Sequence, residues 1–106
     1  MAAQYLINKG YTLLEKNYYS KWGEIDLILR KGNQIAFAEV KYRAGNRWGY
    51  PEEAVNRNKV QRMLKGAEWY LLRNGLQNCE VSLDVVAIQG QEIRHIPGAF
   101  GGLEWN

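Results

Sequence analysis

Apolar positions along this chain recur at two different spacings, and the switches between them mark out the elements. Ala2, Tyr5 and Leu6 fall on one face at helical spacing and predict a short helix from Ala2 to Lys9, ended by Gly10. Tyr11-Thr12-Leu13-Leu14 then opens a first strand, and Tyr18 to Lys21 reads as a polar, aromatic connection. Two strand-like runs follow, Glu24-Ile25-Asp26-Leu27-Ile28-Leu29 and Ile35-Ala36-Phe37-Ala38-Glu39-Val40-Lys41. The turn Lys31-Gly32-Asn33-Gln34 between them predicts an antiparallel hairpin. After a loop rich in Gly and Arg, Ala44 to Tyr50, the tripeptide Pro51-Glu52-Glu53 looks like a helix-start turn. The main helix is expected from Arg57, capped by Asn56, to Arg73, where Asn74-Gly75 ends it. Glu80 to Ile88 is almost continuously apolar after Ser82, as in a strand buried on both faces. Gln89-Gly90-Gln91 turns into a last strand, Glu92 to Ile96.

The resulting order, αβββαββ, places a helical crossover between the third and fourth strands. An α/β fold follows, with a mixed β-sheet flanked by helices. Residues 1–106 are expected to form one domain, long enough for a modest core without disulfides. No internal repeat, low-complexity tract or linker interrupts it.

On a helical wheel Val60, Met63, Leu64, Ala67, Tyr70 and Leu71 gather on one side of the long helix. Lys59, Arg62, Lys65 and Arg73 fall on the other, with Arg57 on a flank. Such a face is either plainly solvated or a track for phosphates. Lys59 is the residue favoured for phosphate contact, because it starts the helix beside the preceding loop; Arg43, Arg47 and Arg62 extend the same basic track. The net charge of +3 points only weakly to nucleic acid, so this distribution says more than the total.

Composition removes several classes. With 46% apolar and 24% charged residues the chain reads as an ordinary soluble protein. Cys79 is alone and cannot form an internal bridge, no Cys/His cluster suggests zinc, and a small buried or half-buried thiol is expected. With no leader and no long apolar run, neither secretion nor membrane insertion is indicated, and a cytoplasmic location is expected.

Chemistry concentrates at Asp26 and, thirteen residues later, Glu39-Val40-Lys41. Strand side chains alternate, so Glu39 and Lys41 share a face, roughly 6–7 Å apart along the strand. The hairpin puts both beside Asp26. Acids and lysines on strands are usually solvated or paired with each other. Glu39, however, lies among apolar and small residues, where a charge is costly unless paired or ligating. Mg²⁺ commonly takes one or two protein carboxylates and keeps waters and phosphate oxygens. A nearby lysine can hold the attacking water or balance charge on phosphorus. Metal-assisted phosphodiester hydrolysis is the chemistry this set would serve.

These residues also carry a resemblance. Gly23-Glu24-Ile25-Asp26-Leu27-Ile28, then Ala38-Glu39-Val40-Lys41-Tyr42-Arg43, then Ala54-Val55, Lys59 and Ala67-x-x-Tyr70-Leu71 look like the bacterial YraN-like family of uncharacterised proteins. Asp84-Val85-Val86-Ala87-Ile88 and His95-Ile96-Pro97-x-Ala99-Phe100 extend the match almost to the C-terminus. That family is similar in turn to the PD-(D/E)xK nucleases, the restriction-endonuclease-like fold that includes archaeal Holliday-junction resolvases. The resemblance implies Asp26 and Glu39 as ligands of Mg²⁺ or Mn²⁺, the Val40 carbonyl as a further oxygen, and Lys41 as the catalytic lysine. Members usually carry a glutamate on the first helix, upstream of the alanines, and Met1-Ala2-Ala3-Gln4 offers none. A naturally short form and a trimmed start both account for this. Glu24, two residues from Asp26, is either a partial substitute ligand or a strand-end charge facing water.

Trp22, Trp48 and Tyr50 flank the acids in sequence and either stack on bases or close the core. Trp69, on the basic face, calls for a partner, either a second subunit in a homodimer or the stem of a neighbouring basic residue. His95 reads as structural rather than as a general base. The expectation is a metal-dependent, nuclease-like domain that binds and cleaves DNA, branched DNA by family resemblance. The alternative is a non-catalytic nucleic-acid-binding or adaptor module on the same fold.

Overall fold

Two stretches of unlike polarity, one alternating and one nearly all apolar, build the two halves of a single sheet. The computed structural model describes residues 1–43 and 57–99, with the side chain of Arg43 excepted. Within them run α1 (Ala2–Asn8), β1 (Thr12–Ser20), β2 (Gly23–Lys31), β3 (Gln34–Arg43), α2 (Arg57–Arg73), β4 (Glu80–Gln89) and β5 (Glu92–Ile96). The strands lie side by side in chain order. The β1–β2, β2–β3 and β4–β5 pairs are antiparallel, whereas β3 and β4 are parallel, with α2 in the connection between them. The architecture is therefore α/β, a five-stranded mixed sheet with a helix on each face.

The two faces bury separate cores. Ile28, Ile35, Phe37, Leu83 and Val85 pack against Val60, Met63, Leu64, Ala67, Tyr70 and Leu71 of α2. Leu27, Leu29, Ala38, Val86 and Ile88 pack against Ala2 and Leu6 of α1. The apolar stripe expected on the long helix is thus the face it buries. Each large side chain on it contributes about 1.5–3 kcal/mol on leaving water. At the far end the Leu76 N–H reaches the Leu71 carbonyl, and Gly75 takes φ +65°, a conformation that ends a helix cleanly. β4 is buried from Ser82 to Ile88, as its composition predicts.

One expectation is corrected. Tyr18 to Ser20 belong to β1, paired with Ile25, Glu24 and Gly23, and are not part of a connection. β1 is an edge strand, its register shifts between Leu13 and Glu15, and Asn17 adopts φ +54°. Those two irregularities break the alternation that would have marked the strand in sequence. The Asn56 cap, the turn at Pro51 and the loop Ala44 to Tyr50 lie outside the described residues. Among the described residues no helix is long and apolar enough to cross a membrane.

A candidate metal and phosphate site where two strands part

The β2–β3 hairpin zips from Lys31 and Gln34 only as far as Leu27 opposite Ala38. β2 continues its pairing with β1 beyond that point, to Gly23 opposite Ser20. The sheet therefore opens between β2 and β3, and Asp26 and Glu39 are the first residues past the opening. β2 also changes phase there. Ile25 packs toward α2, yet Leu27, two residues on, packs toward α1. A regular strand would send both to one face.

The opening leaves a backbone donor to satisfy, and Asp26 satisfies it. The Val40 N–H donates to Asp26 Oδ2 at 2.8 Å. The Val40 amide is thus tied to the aspartate, while its carbonyl is the group expected to serve as a further metal ligand. Burial pushes the Asp26 carboxyl above its ordinary value of 3.8; the Val40 hydrogen bond and Lys59 pull the other way, and the negative charges of Glu39 and Glu24 add to the rise.

Glu39 stands on the α2 side and is 4% exposed. Its Oε1 takes two amines, Lys59 Nζ at 2.7 Å and Lys41 Nζ at 3.4 Å. Its Oε2 is buried without a hydrogen-bond partner. Lys59, the residue favoured for phosphate contact, reaches from the first turn of α2 to the acid. Glu39, Lys41 and Lys59 thus meet from two elements, and Asp26 joins them from β2 through its hydrogen bond to the Val40 N–H and its electrostatic coupling to Glu39 and Lys59. Two carboxylates against two ammoniums leave the cluster near neutral, so a phosphate meets no net repulsion there.

A buried carboxylate oxygen without a donor fits a cation better than it fits a finished hydrogen-bond network. The oxygen donors are hard, and one or two carboxylates are what Mg²⁺ ordinarily takes from a protein. Among the described residues no group of three or more acidic, His or Cys side chains is placed to hold a metal ion, so these residues would offer no more than two carboxylates. The remaining ligands at such a site would be waters and the substrate's own oxygens.

Glu24 and Asp26 line different cavities. Glu24 borders one between the β1–β2 turn and α2, with Trp22, Lys59 and Arg62. Asp26 borders another, beside Lys16, Asn17, Val40 and Tyr42. The Glu24 carboxylate beside Tyr19 holds the tyrosine's pKa up. Lys16 and Tyr42 were not foreseen as neighbours of the site. Lys16 lies in the stretch of β1 whose register the sequence concealed, and Tyr42, 72% exposed, carries no pattern that distinguishes it from a solvated edge residue. Arg47, Trp48, Tyr50 and the side chain of Arg43 lie outside the described residues. Trp69 finds its partners within the chain, with the Trp22 ring centroid 6.0 Å away and the Arg73 guanidinium 5.5 Å from its own.

The second buried acid behaves differently. Asp84 Oδ2 lies 2.7 Å from His95 Nε2, while Oδ1 accepts from the Ser82 hydroxyl and from the Gly98 N–H at 2.9 Å. Every lone pair that matters is used, so this network fastens β5 and the turn after it to β4. The structural reading of His95 agrees with that placement. Asp84 is a charge within an apolar strand, the signal that singled out Glu39, and here it marks a fastening.

With this geometry in place, comparison with known proteins shows where the chain belongs. Residues 1–88 match the model of the uncharacterised protein family UPF0102. A UPF0102 protein of Alkaliphilus metalliredigens is 46% identical over 100 residues, covering 92% of this chain and 88% of the relative. One from Syntrophomonas wolfei is 43% identical over 104 residues, covering 94% and 90%. One from Persephonella marina is 38% identical over 99 residues, covering 93% and 85%. With a match over most of its length and relatives this similar, the chain is a member of the UPF0102 family, the YraN-like family that its motifs resemble.

Proposed function

We propose that this chain hydrolyses phosphodiester bonds of DNA on a PD-(D/E)xK nuclease-like core, with Mg²⁺ or Mn²⁺ held at Asp26 and Glu39. Glu39 carries the reading: a buried carboxylate with one oxygen unpartnered, beside an aspartate whose charge burial already disfavours. A divalent cation there supplies charge neutralisation at the phosphoryl oxygens and an easier deprotonation of water. The chain's own groups do the rest. The Val40 N–H fixes the orientation of Asp26, and the Val40 carbonyl is the further oxygen that the family resemblance implies. Lys41, held by Glu39 on the same strand face, is placed to orient a water and to offset charge building on the attacked phosphate. Lys59 balances Glu39 and presents the positive end of the site to the backbone. Arg62, exposed one turn along α2, continues the basic track, and the preference for branched DNA rests on the family resemblance.

One observation favours a second reading, a binding module without catalysis. Lys41 and Lys59 already balance the charge of Glu39, so phosphate binding needs no cation. Nicking of branched and supercoiled DNA with Mn²⁺ separates the two. Lys41→Ala should keep metal and DNA binding while cleavage falls by about 10²–10³. Glu39→Gln should lose metal binding and cleavage together. No cleavage by the parent chain, with DNA binding intact, would leave the binding module standing.

A further inference from the structure

The cavity beside Glu24 has a volume of about 120 Å³ and is walled by Trp22, Glu24, Ile25, Arg62 and Met63, with Gly66 on the helix side. Lys59 lines it as well, and the same amine lies 2.7 Å from Glu39, so cavity and acid are one lysine side chain apart. Resting on the reading of this site as a phosphodiesterase, we infer that the cavity receives one unstacked pyrimidine base from the strand whose phosphate lies at Asp26 and Glu39.

Four features support a base rather than water alone. The Trp22 indole is a flat apolar wall with two neighbours at its ring: Trp69 lies at 6.0 Å, and the Lys21 amine sits 4.9 Å from the Trp22 centroid. The backbone that carries it is also fixed, since the Trp22 N–H donates to Ser20 Oγ at 3.2 Å and that hydroxyl donates to the Gly23 carbonyl at 3.3 Å. Gly23 at φ +121° permits this tight turn. The wall is therefore preformed, and ordering costs little on binding. Next, Gly66 lets the helix wall seat closely on the strand beneath it, for a Cβ there would stand 3.3 Å from Ile25 Cδ1. The polar lining matches the edge of a pyrimidine, which sets ring acceptors beside a donor. Arg62 can donate to the former and Glu24 accept from the latter. Finally, size selects the ring. An engineered cavity of about 150 Å³ holds one benzene, so a single six-membered ring suits this volume better than a fused purine.

A base can enter only when it is out of its duplex stack, which costs least where pairing is already lost. The site would thus favour DNA with an unpaired pyrimidine next to the cut phosphate, as at branch points.

The test is equilibrium binding, without metal, of a fluorescent DNA that carries one unpaired nucleotide. That nucleotide is dC, dA or an abasic residue, and anisotropy is read for the parent, Arg62→Met and Trp22→Leu, with thermal melts checking the fold. The parent should bind the dC ligand about tenfold more tightly than the abasic one, with dA between them. In both variants that ratio should shrink towards one. Loss of the Arg62 charge alone would weaken all three ligands equally and leave the ratio standing, which would overturn the inference. Equal affinity of the parent for dC and abasic ligands would overturn it too, as would a stronger preference for dA. Failure of the phosphodiesterase reading looks different: base preference in binding with no cleavage when Mn²⁺ is added.

Discussion

Replacing Lys59 by methionine perturbs the site at its most tightly held contact. Lys59 Nζ lies 2.7 Å from Glu39 Oε1, and the Glu39 side chain is 5% exposed. Removing the amine leaves a buried carboxylate with Lys41 at 3.4 Å and with Oε2 still unpartnered. Breaking a fully buried pair costs about 3–5 kcal/mol. Here the Lys59 side chain is 35% exposed, so solvent screens part of the attraction, and Lys41 remains. A hydrogen bond to a charged group is worth about 1.5–3 kcal/mol, which places the expected loss near 2 kcal/mol. For a domain of this size that is a fall of about 8 °C in Tm. The assay is thermal melting in EDTA and again in millimolar Mn²⁺. A cation bound at 100 times its Kd adds about 2.7 kcal/mol, so Mn²⁺ should restore the variant and raise its Tm more than the parent's, since only Lys41 is left to compete for Glu39. Lys59 has a further interaction, so the double variant with Glu39→Gln isolates the pair. Coupling of about 1 kcal/mol or more is expected, because the amine matters little once the acid is neutral. Strict additivity, or a Lys59→Met variant that Mn²⁺ leaves unchanged, would refute the account of Glu39 as a buried charge awaiting a cation.

Two further outcomes follow from the same electrostatics. Asp26 has its pKa raised on folding, so its contribution favours the fold below the ordinary value of 3.8 and is lost as pH rises through the raised value. Without metal, Asp26→Asn should therefore melt higher than the parent at pH 7 but not at pH 3, and with Mn²⁺ the order at pH 7 should reverse; a parent that stays less stable than the variant in Mn²⁺ would contradict the ligand role. His95→Ala removes the partner of an Asp84 side chain that is 2% exposed, and should cost about 2–3 kcal/mol. Hydrogen exchange should show β5 and the Gly98 amide opening first, with the Mn²⁺-dependent rise in Tm unaltered, whereas loss of that rise would tie His95 to the metal site.

Local pattern alone carried a great deal in this protein. The amphipathic stripe of α2, the apolar run of β4, the Lys31–Gln34 hairpin and the D…ExK spacing are all properties of short segments. Their physics, helical and strand periodicity together with the cost of a charge among apolar residues, acts over a few residues and is legible there. Glu39 and Lys41 meeting on one face follows from the two-residue repeat of a strand and needs no tertiary information. What the fold decided is everything that depends on where two segments cease to be neighbours. The parting of β2 from β3 past Leu27 and Ala38, the slip in facing at Asp26, and the capture of the Val40 N–H exist only once the strands are assembled between two helices. The inward turn of Lys59 likewise depends on α2 packing on the sheet face that carries Glu39, because only then does a basic residue of the outer wheel come within reach of a buried acid. Asp84 and Glu39 look alike in sequence, each a charge inside an apolar strand. Tertiary structure alone separates them: His95, Ser82 and Gly98 exhaust the oxygens of Asp84, while one oxygen of Glu39 is left open. A segment can state that a charge is expensive, but only the neighbours brought by the fold determine whether that cost has been met.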